Sequence, residues 1–158
     1  MDHPSCPELL TALTEELRVV RSFAELLRQE QRLLTENGID QLLALAEQKS
    51  IYALQLNEVT EGRRRLLQKS LPVLESAAIQ AWLTQNCAQG LALWQEIRVM
   101  AEQAQQLNHI NGELIQMKLR HNQQTLTVLS NAVNKANLYG PDGQTNFAPG
   151  SGRSLGNV

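Results

Sequence analysis

Two stretches of this chain repeat apolar residues in alternating steps of three and four, and that spacing restricts the fold more than any other feature. The first runs through Leu10, Leu13, Leu17, Val20, Ala24, Leu27, Gln31 and Leu34, with Glu15, Glu16, Arg18, Arg21 and Arg28 off the seam. The second runs through Leu42, Leu45, Lys49, Tyr52, Leu56, Val59, Arg63 and Leu66. A heptad seam of this kind lines one face of a helix and needs a partner helix to cover it. Pro7 fits the first turn of the first helix, where its missing N–H is not needed. Asn37-Gly38 stops that helix, because both residues tolerate a left-handed cap, and Asp40 suits the N-cap of the next. So short a link favours an antiparallel hairpin. Lys49 and Arg63 interrupt the second seam; their stems are expected to be buried and their charged heads wet. Gly62 weakens the last turns of that helix by up to ~1 kcal/mol relative to alanine.

Beyond Pro72 the pattern changes. Residues 72–85 read as a short helix carrying Trp82, and 86–90 as a break. A long helix is expected over 91–137, roughly 70 Å if unbroken, with Gly112 its weakest point. It opens with Leu91, Trp94, Ile97 and Ala101. Two adjacent stripes follow, one through Leu107, Ile110, Leu114 and Met117, the other through Ile115, Leu119, Leu126, Leu129 and Val133. A face that wide can serve two neighbours, the chain's own bundle and a partner. Asn108, Asn111, Asn122 and Thr125 lie close to it. Such amides act either as register devices in a dry seam or as contacts to a partner. Residues 138–158 begin with the turn residues Tyr139-Gly140-Pro141-Asp142-Gly143 and continue rich in Gly, Ser, Asn and Pro, so they read as a flexible tail. Phe147 and Leu155 are lone apolar residues within its 144–158 stretch. The expected architecture is therefore all-α: an antiparallel helical hairpin or bundle with coiled-coil-like packing over 1–137 (helices about 8–36, 39–69, 72–85 and 91–137), a long C-terminal helix and a disordered C-terminal tail.

Aromatic residues make up only 4% of the 158 residues, which suits aliphatic helical seams better than sheets. A net charge of -2 offers nothing to draw the protein onto nucleic acid or an anionic membrane. Arg63-Arg64-Arg65 is short, lacks interleaved aromatics and reads as a solvated face. Met1 to Leu10 lacks the basic start and apolar core of a signal peptide, and no run approaches the ~18 apolar residues of a membrane span. The expected compartment is the cytoplasm, with Cys6 and Cys87 reduced rather than paired.

Nothing in the sequence assembles a reaction centre. His109 and His121 are twelve residues apart on one helix, too far to share a metal ion. There is no His-Glu-x-x-His, no Cys-x-x-Cys and no phosphate-cradling loop, and Gly150-Ser151-Gly152 has no strand before it. The expectation is a binding protein with no cofactor.

The segment Leu107-Asn108-His109-Ile110-Asn111-Gly112-Glu113-Leu114-Ile115 resembles the Leu-Asn-x-x-Asn-Gly-x-Leu-Ile segment of FlgN proteins. It continues in the same style through His121, Asn122, Gln123, Gln124, Leu126 and Leu129. Tyr139-Gly140-Pro141-Asp142-Gly143 is similar to that family's Tyr-Gly-x-x-Gly element, and the stretch from Leu42 to Lys49, with Arg63 to Leu67 beyond, resembles its helical hairpin. The likeness covers most of the chain and implies a cytosolic flagellar export chaperone. Such a chaperone binds the disordered, amphipathic C-terminal segment of hook-associated (hook–filament junction) proteins and delivers them to the export gate at the inner membrane. By that resemblance Leu107, Ile110, Asn111, Leu114, Ile115, Lys118, Asn122, Leu126 and Leu129 are the client-face candidates, and Tyr139 is a contact for the export-gate membrane protein. Self-association or the tail is expected to cover a bare stripe in the free protein. The rival expectation is a coiled-coil adaptor that acts by oligomerisation.

Overall fold

The computed structural model describes residues 4–121, and all regular structure among them is helical. Helix α1 spans Cys6–Thr35, α2 Ile39–Gln68, α3 Ser76–Asn86 and α4 Ala88–His121. The protein is an all-α helical bundle. The Ser5 hydroxyl caps α1 by accepting from the Glu8 N–H at 3.3 Å. At the other end of α1, Asn37 takes a φ of 59°, and the Gly38 N–H donates to the Leu33 carbonyl at 2.8 Å. That six-to-one bond satisfies a terminal carbonyl and turns the chain sharply into α2. Gly38, not Asp40, occupies the N-cap of α2, with Asp40 in the first turn.

Helix directions follow from the paired residues. Glu16 meets Arg63 and Glu30 meets Lys49, so α1 and α2 are antiparallel. Arg21 meets Glu96 and Arg28 meets Gln103, so α1 and α4 run parallel. The parallel course follows because α2 returns the chain to the start of α1, where Leu67 packs with Leu9 and Leu13 and Cys87 meets Cys6, so α4 sets out from that same end. Helix α1 lies between α2 and α4, which explains why its buried residues spread over more than one face: Leu9, Leu13, Glu16, Leu17, Val19, Val20, Phe23, Ala24, Leu26, Leu27, Glu30 and Leu34.

The interior is built in layers. An apolar cluster at the α3 end joins Leu9, Leu13 and Leu17 to Leu67, Ile79, Leu83, Trp94 and Ile97. A middle cluster joins Val20, Phe23, Ala24 and Leu27 to Ala53, Leu56 and Ala104. At the α1–α2 turn only Leu34, Leu42 and Ile115 form the buried set. A polar plane separates each pair of clusters. In the first, the Arg63 Nε donates to a Glu16 carboxylate oxygen at 2.8 Å, and the guanidinium lies 4.8 Å from the Trp94 ring centre. In the second, the Lys49 ammonium donates to both oxygens of Glu30 at 3.0 and 3.2 Å.

Several sequence expectations are corrected by this packing. The heads of Lys49 and Arg63 are buried and paired, not wet, because the opposing helix supplies a carboxylate at each position. The basic run is thereby split: Arg63 is interior, Arg64 sits beside Glu61 and Arg65 is exposed. Helix α3 begins at Ser76 instead of Pro72, since Leu71 and Leu74 pack on the core from a non-helical strap. The break before α4 shrinks to Cys87, and α4 passes through Gly112 without interruption as far as the described residues extend. Finally, Cys6 and Cys87 are bonded in a disulfide with their Cα atoms 5.5 Å apart. Distance along the chain concealed this; α3 carries Cys87 back to the first turn of α1. Gly90 sits at that junction, where an added Cβ would stand 3.0 Å from Leu83 and 3.3 Å from Leu13.

Candidate functional site

The second half of α4 separates the outer stripe expected from the sequence from an inner one that keeps only Ile115 of the other expected stripe; Leu126, Leu129 and Val133 of that stripe lie outside the described residues. Ala104, Asn111 and Ile115 recur at steps of seven and four and turn inward onto α1. Leu107, Ile110, Leu114 and Met117 recur at three, four and three and lie on the adjoining face. Leu107 and Leu114 are half-buried, Ile110 is 42% exposed and Met117 is 53% exposed. Helical periodicity puts these four on one stripe because residues three or four apart are neighbours on a helix surface.

Asn111 and Ile115 are thus moved from the expected partner face to the interior. Both are fully buried. The Asn111 amide nitrogen donates to the Leu27 carbonyl at 2.8 Å and to Glu30 at 2.9 Å. Asn111 therefore completes the Glu30–Lys49 plane and ties all three long helices at one height. It has the register role of a buried amide: slipping α4 by one turn would leave Glu30, Leu27 and the amide without these bonds. Burial pushes the Lys49 ammonium below its ordinary value, with Glu30 opposing the shift. Asn108, also near the seam, is half-buried and its side-chain oxygen has no hydrogen-bond partner.

Where the outer stripe reaches the α1–α2 turn, it opens into a groove of about 510 Å³. Leu114, Met117, Lys118 and His121 of α4 form one wall, and Leu34, Asn37 and Ile39 the other. The Lys118 ammonium donates to the Asn37 side-chain oxygen across it. Among the candidates, Leu114 and Lys118 meet here, while Leu107 and Ile110 lead towards it along α4. Leu126, Leu129, Asn122 and Tyr139 lie outside the described residues. The sequence reading missed Leu34, Asn37 and Ile39 as walls. Asn37-Gly38 was legible only as a turn, and nothing local says that a turn will face the end of a parallel helix.

The chemistry of this region is that of a binding surface: an apolar stripe and groove with one ammonium at the rim. Among the described residues no group of three or more His, Cys, Asp and Glu side chains is placed to hold a metal ion. No helix among them is long and apolar enough to cross a membrane.

The family described as FlgN protein matches residues 1–146. A flagella synthesis protein FlgN of Yersinia enterocolitica is 33% identical over 150 residues, covering 94% of this chain and 96% of its own. The protein of the same name from Proteus mirabilis is 29% identical over 150 residues, covering 94% and 97%. That of Escherichia coli K12 is 34% identical over 101 residues, covering 64% of this chain and 72% of its own. No solved structure matches. This likeness across nearly the whole chain places the protein in the FlgN family of flagella synthesis proteins.

Proposed function

We propose that the protein is a cytoplasmic flagellar export chaperone that holds the amphipathic C-terminal segment of hook-associated proteins before their assembly and hands them to the flagellar type III export gate. The observation that carries this reading is the outer stripe of α4, with Leu107 and Leu114 half-buried and Ile110 and Met117 exposed, which runs into the apolar groove at the α1–α2 turn. An amphipathic helix docks by laying three or four apolar side chains into such a surface. Leu107, Ile110, Leu114 and Lys118 are the contacts within the described residues. Asn111 and Ile115 support that face from beneath. Asn122, Leu126 and Leu129 would extend it, and Tyr139 would contact the export gate. The mechanism is reversible masking of a sticky segment, with no bond made or broken.

Titration calorimetry of the full chain with peptides from the C-terminal ends of hook-associated proteins tests the proposal. Micromolar or tighter binding is expected, weakened at least tenfold by Ile110→Asp or Met117→Asp with helicity unchanged. Absence of binding by every such peptide would sink it. A second reading, self-association as an adaptor, draws on the exposed Leu43, Ile51 and Leu54 of α2. A monomer in light scattering at tens of micromolar would remove that alternative.

A further inference from the structure

The Cys6–Cys87 bond joins the first residue of α1 to the single residue between α3 and α4, closing a loop with a sequence separation of 81. The two sulfurs are unequal in access. Cys87 is buried at 3% exposure beside Leu83 and Gly90, whereas Cys6 is half-buried at the open start of α1. The Cys6 side of the bond is therefore the more accessible to an incoming thiolate. Cys6 also heads a 30-residue helix, whose N-terminal N–H groups favour negative charge on a nearby sulfur. Both features promote exchange with small thiols over permanent burial of the bond.

We propose that Cys6 and Cys87 form a reversible thiol–disulfide pair, with Cys6 the exchanging sulfur and Cys87 the resolving one, and that its state sets the stability of the α3 end without reshaping the α4 groove. Oxidation by a low-molecular-weight disulfide proceeds in two exchanges. The Cys6 thiolate attacks one sulfur of the small disulfide, forming a mixed disulfide and releasing one small thiolate. Cys87 then loses its proton and attacks the Cys6 sulfur, releasing the second. The protein loses two electrons and two protons; the small disulfide gains them as two thiols. Excess small thiol reverses both steps. The groove is spared because both of its walls, Leu34, Asn37 and Ile39 on one side and Leu114, Met117, Lys118 and His121 on the other, sit at the α1–α2 turn, the opposite end of the bundle from Cys6 and Cys87.

The test equilibrates the folded full-length protein in reduced and oxidised glutathione at varied ratio, counts free thiols by maleimide mass addition and records Tm at each ratio. A single two-electron transition is expected between zero and two maleimides. The oxidised form should melt about 10 °C higher, given the entropy of closing so long a loop and the usual conversion for a chain of this size. Cys87→Ser should abolish the redox dependence of Tm, and Cys6→Ser, at the more open position, should do the same. Two free thiols surviving prolonged exposure to oxidised glutathione would overturn the proposal, and so would a bond that millimolar reduced glutathione leaves intact in the folded protein. A redox-dependent Tm persisting in Cys87→Ser would overturn it as well.

Discussion

The two ends of this bundle use the same three long helices and reach different states of closure. At the α3 end, α1, α2 and α4 are capped by a fourth helix, and Leu9, Leu13, Leu67, Ile79 and Leu83 are almost wholly removed from solvent. At the α1–α2 turn no helix among the described residues crosses the end. Three buried residues are flanked by the half-buried Leu33, Leu114 and Leu119, and a groove remains open beside them. The difference shows how a short helix changes the role of a long one: where α3 covers α4 the apolar width is core, and where it does not the same width is surface. Hydrogen bonds add to the small apolar set at the thin end, those of Asn111 to α1 and of Lys118 to the turn.

The largest effect should come from the polar plane that guards the thin end. Lys49→Met leaves the Glu30 carboxylate buried with only the Asn111 amide, and should cost about 3–5 kcal/mol in urea unfolding. Replacing Glu30 and Lys49 together by leucine should recover most of that loss, since no charge is then stranded. If the double variant is as unstable as the single one, the plane is more than a paired charge.

Next comes truncation at the two ends. Leu13→Ala or Leu83→Ala should cost about 3–5 kcal/mol, because a capped, well-packed site collapses poorly onto a cavity. Leu42→Ala at the thin end should cost nearer 2 kcal/mol, as neighbours beside an open groove can shift inward. Equal losses at both ends would break the contrast drawn between them.

The pH dependence separates the two polar planes. Burial raises the Glu16 carboxyl above its ordinary 4.5, against the pull of Arg63. The folded state thus holds this proton more tightly than the unfolded one. Its contribution is present below 4.5 and is lost as pH rises through the folded value. Lys49 behaves oppositely in sign: its folded value is lowered from 10.5, so its contribution grows as pH rises through the folded value towards 10.5. Glu16→Gln should therefore flatten a decline in stability with rising pH that begins near 4.5, whereas Lys49→Met should leave that decline in place. Stability measured by urea titration from pH 4 upward checks both.

The smallest change in stability should come from the outer stripe. Met117→Ser removes an exposed side chain and should shift unfolding by less than about 0.5 kcal/mol, while weakening the proposed client several-fold in calorimetry. Ile115→Asp, one face away, should unfold the thin end outright by circular dichroism. A Met117 variant that destabilises as much as an Ile115 variant would show that the two stripes are not distinct.

Much of the architecture could be read directly from residue spacing. The seams of α1 and α2, the stop at Asn37-Gly38 and the double stripe of α4 are local periodicities, and a helix displays its apolar face wherever it packs. Spacing also marked Lys49 and Arg63 as polar residues at core positions and put Asn111 close to an apolar face. It could not say what they meet. Glu16 and Glu30 lie on α1 at positions that read as ordinary charged surface, and only the antiparallel register of α2 brings Arg63 and Lys49 against them. The parallel course of α4, the walls contributed by Leu34, Asn37 and Ile39, the exile of Ile110 and Met117 from the core and the meeting of Cys6 with Cys87 were all decided by how distant helices pack against one another. Periodicity is a property of neighbours along a helix. Partnership depends on residues brought together across large sequence separations, and no local pattern encodes which of several apolar stripes a distant helix will cover.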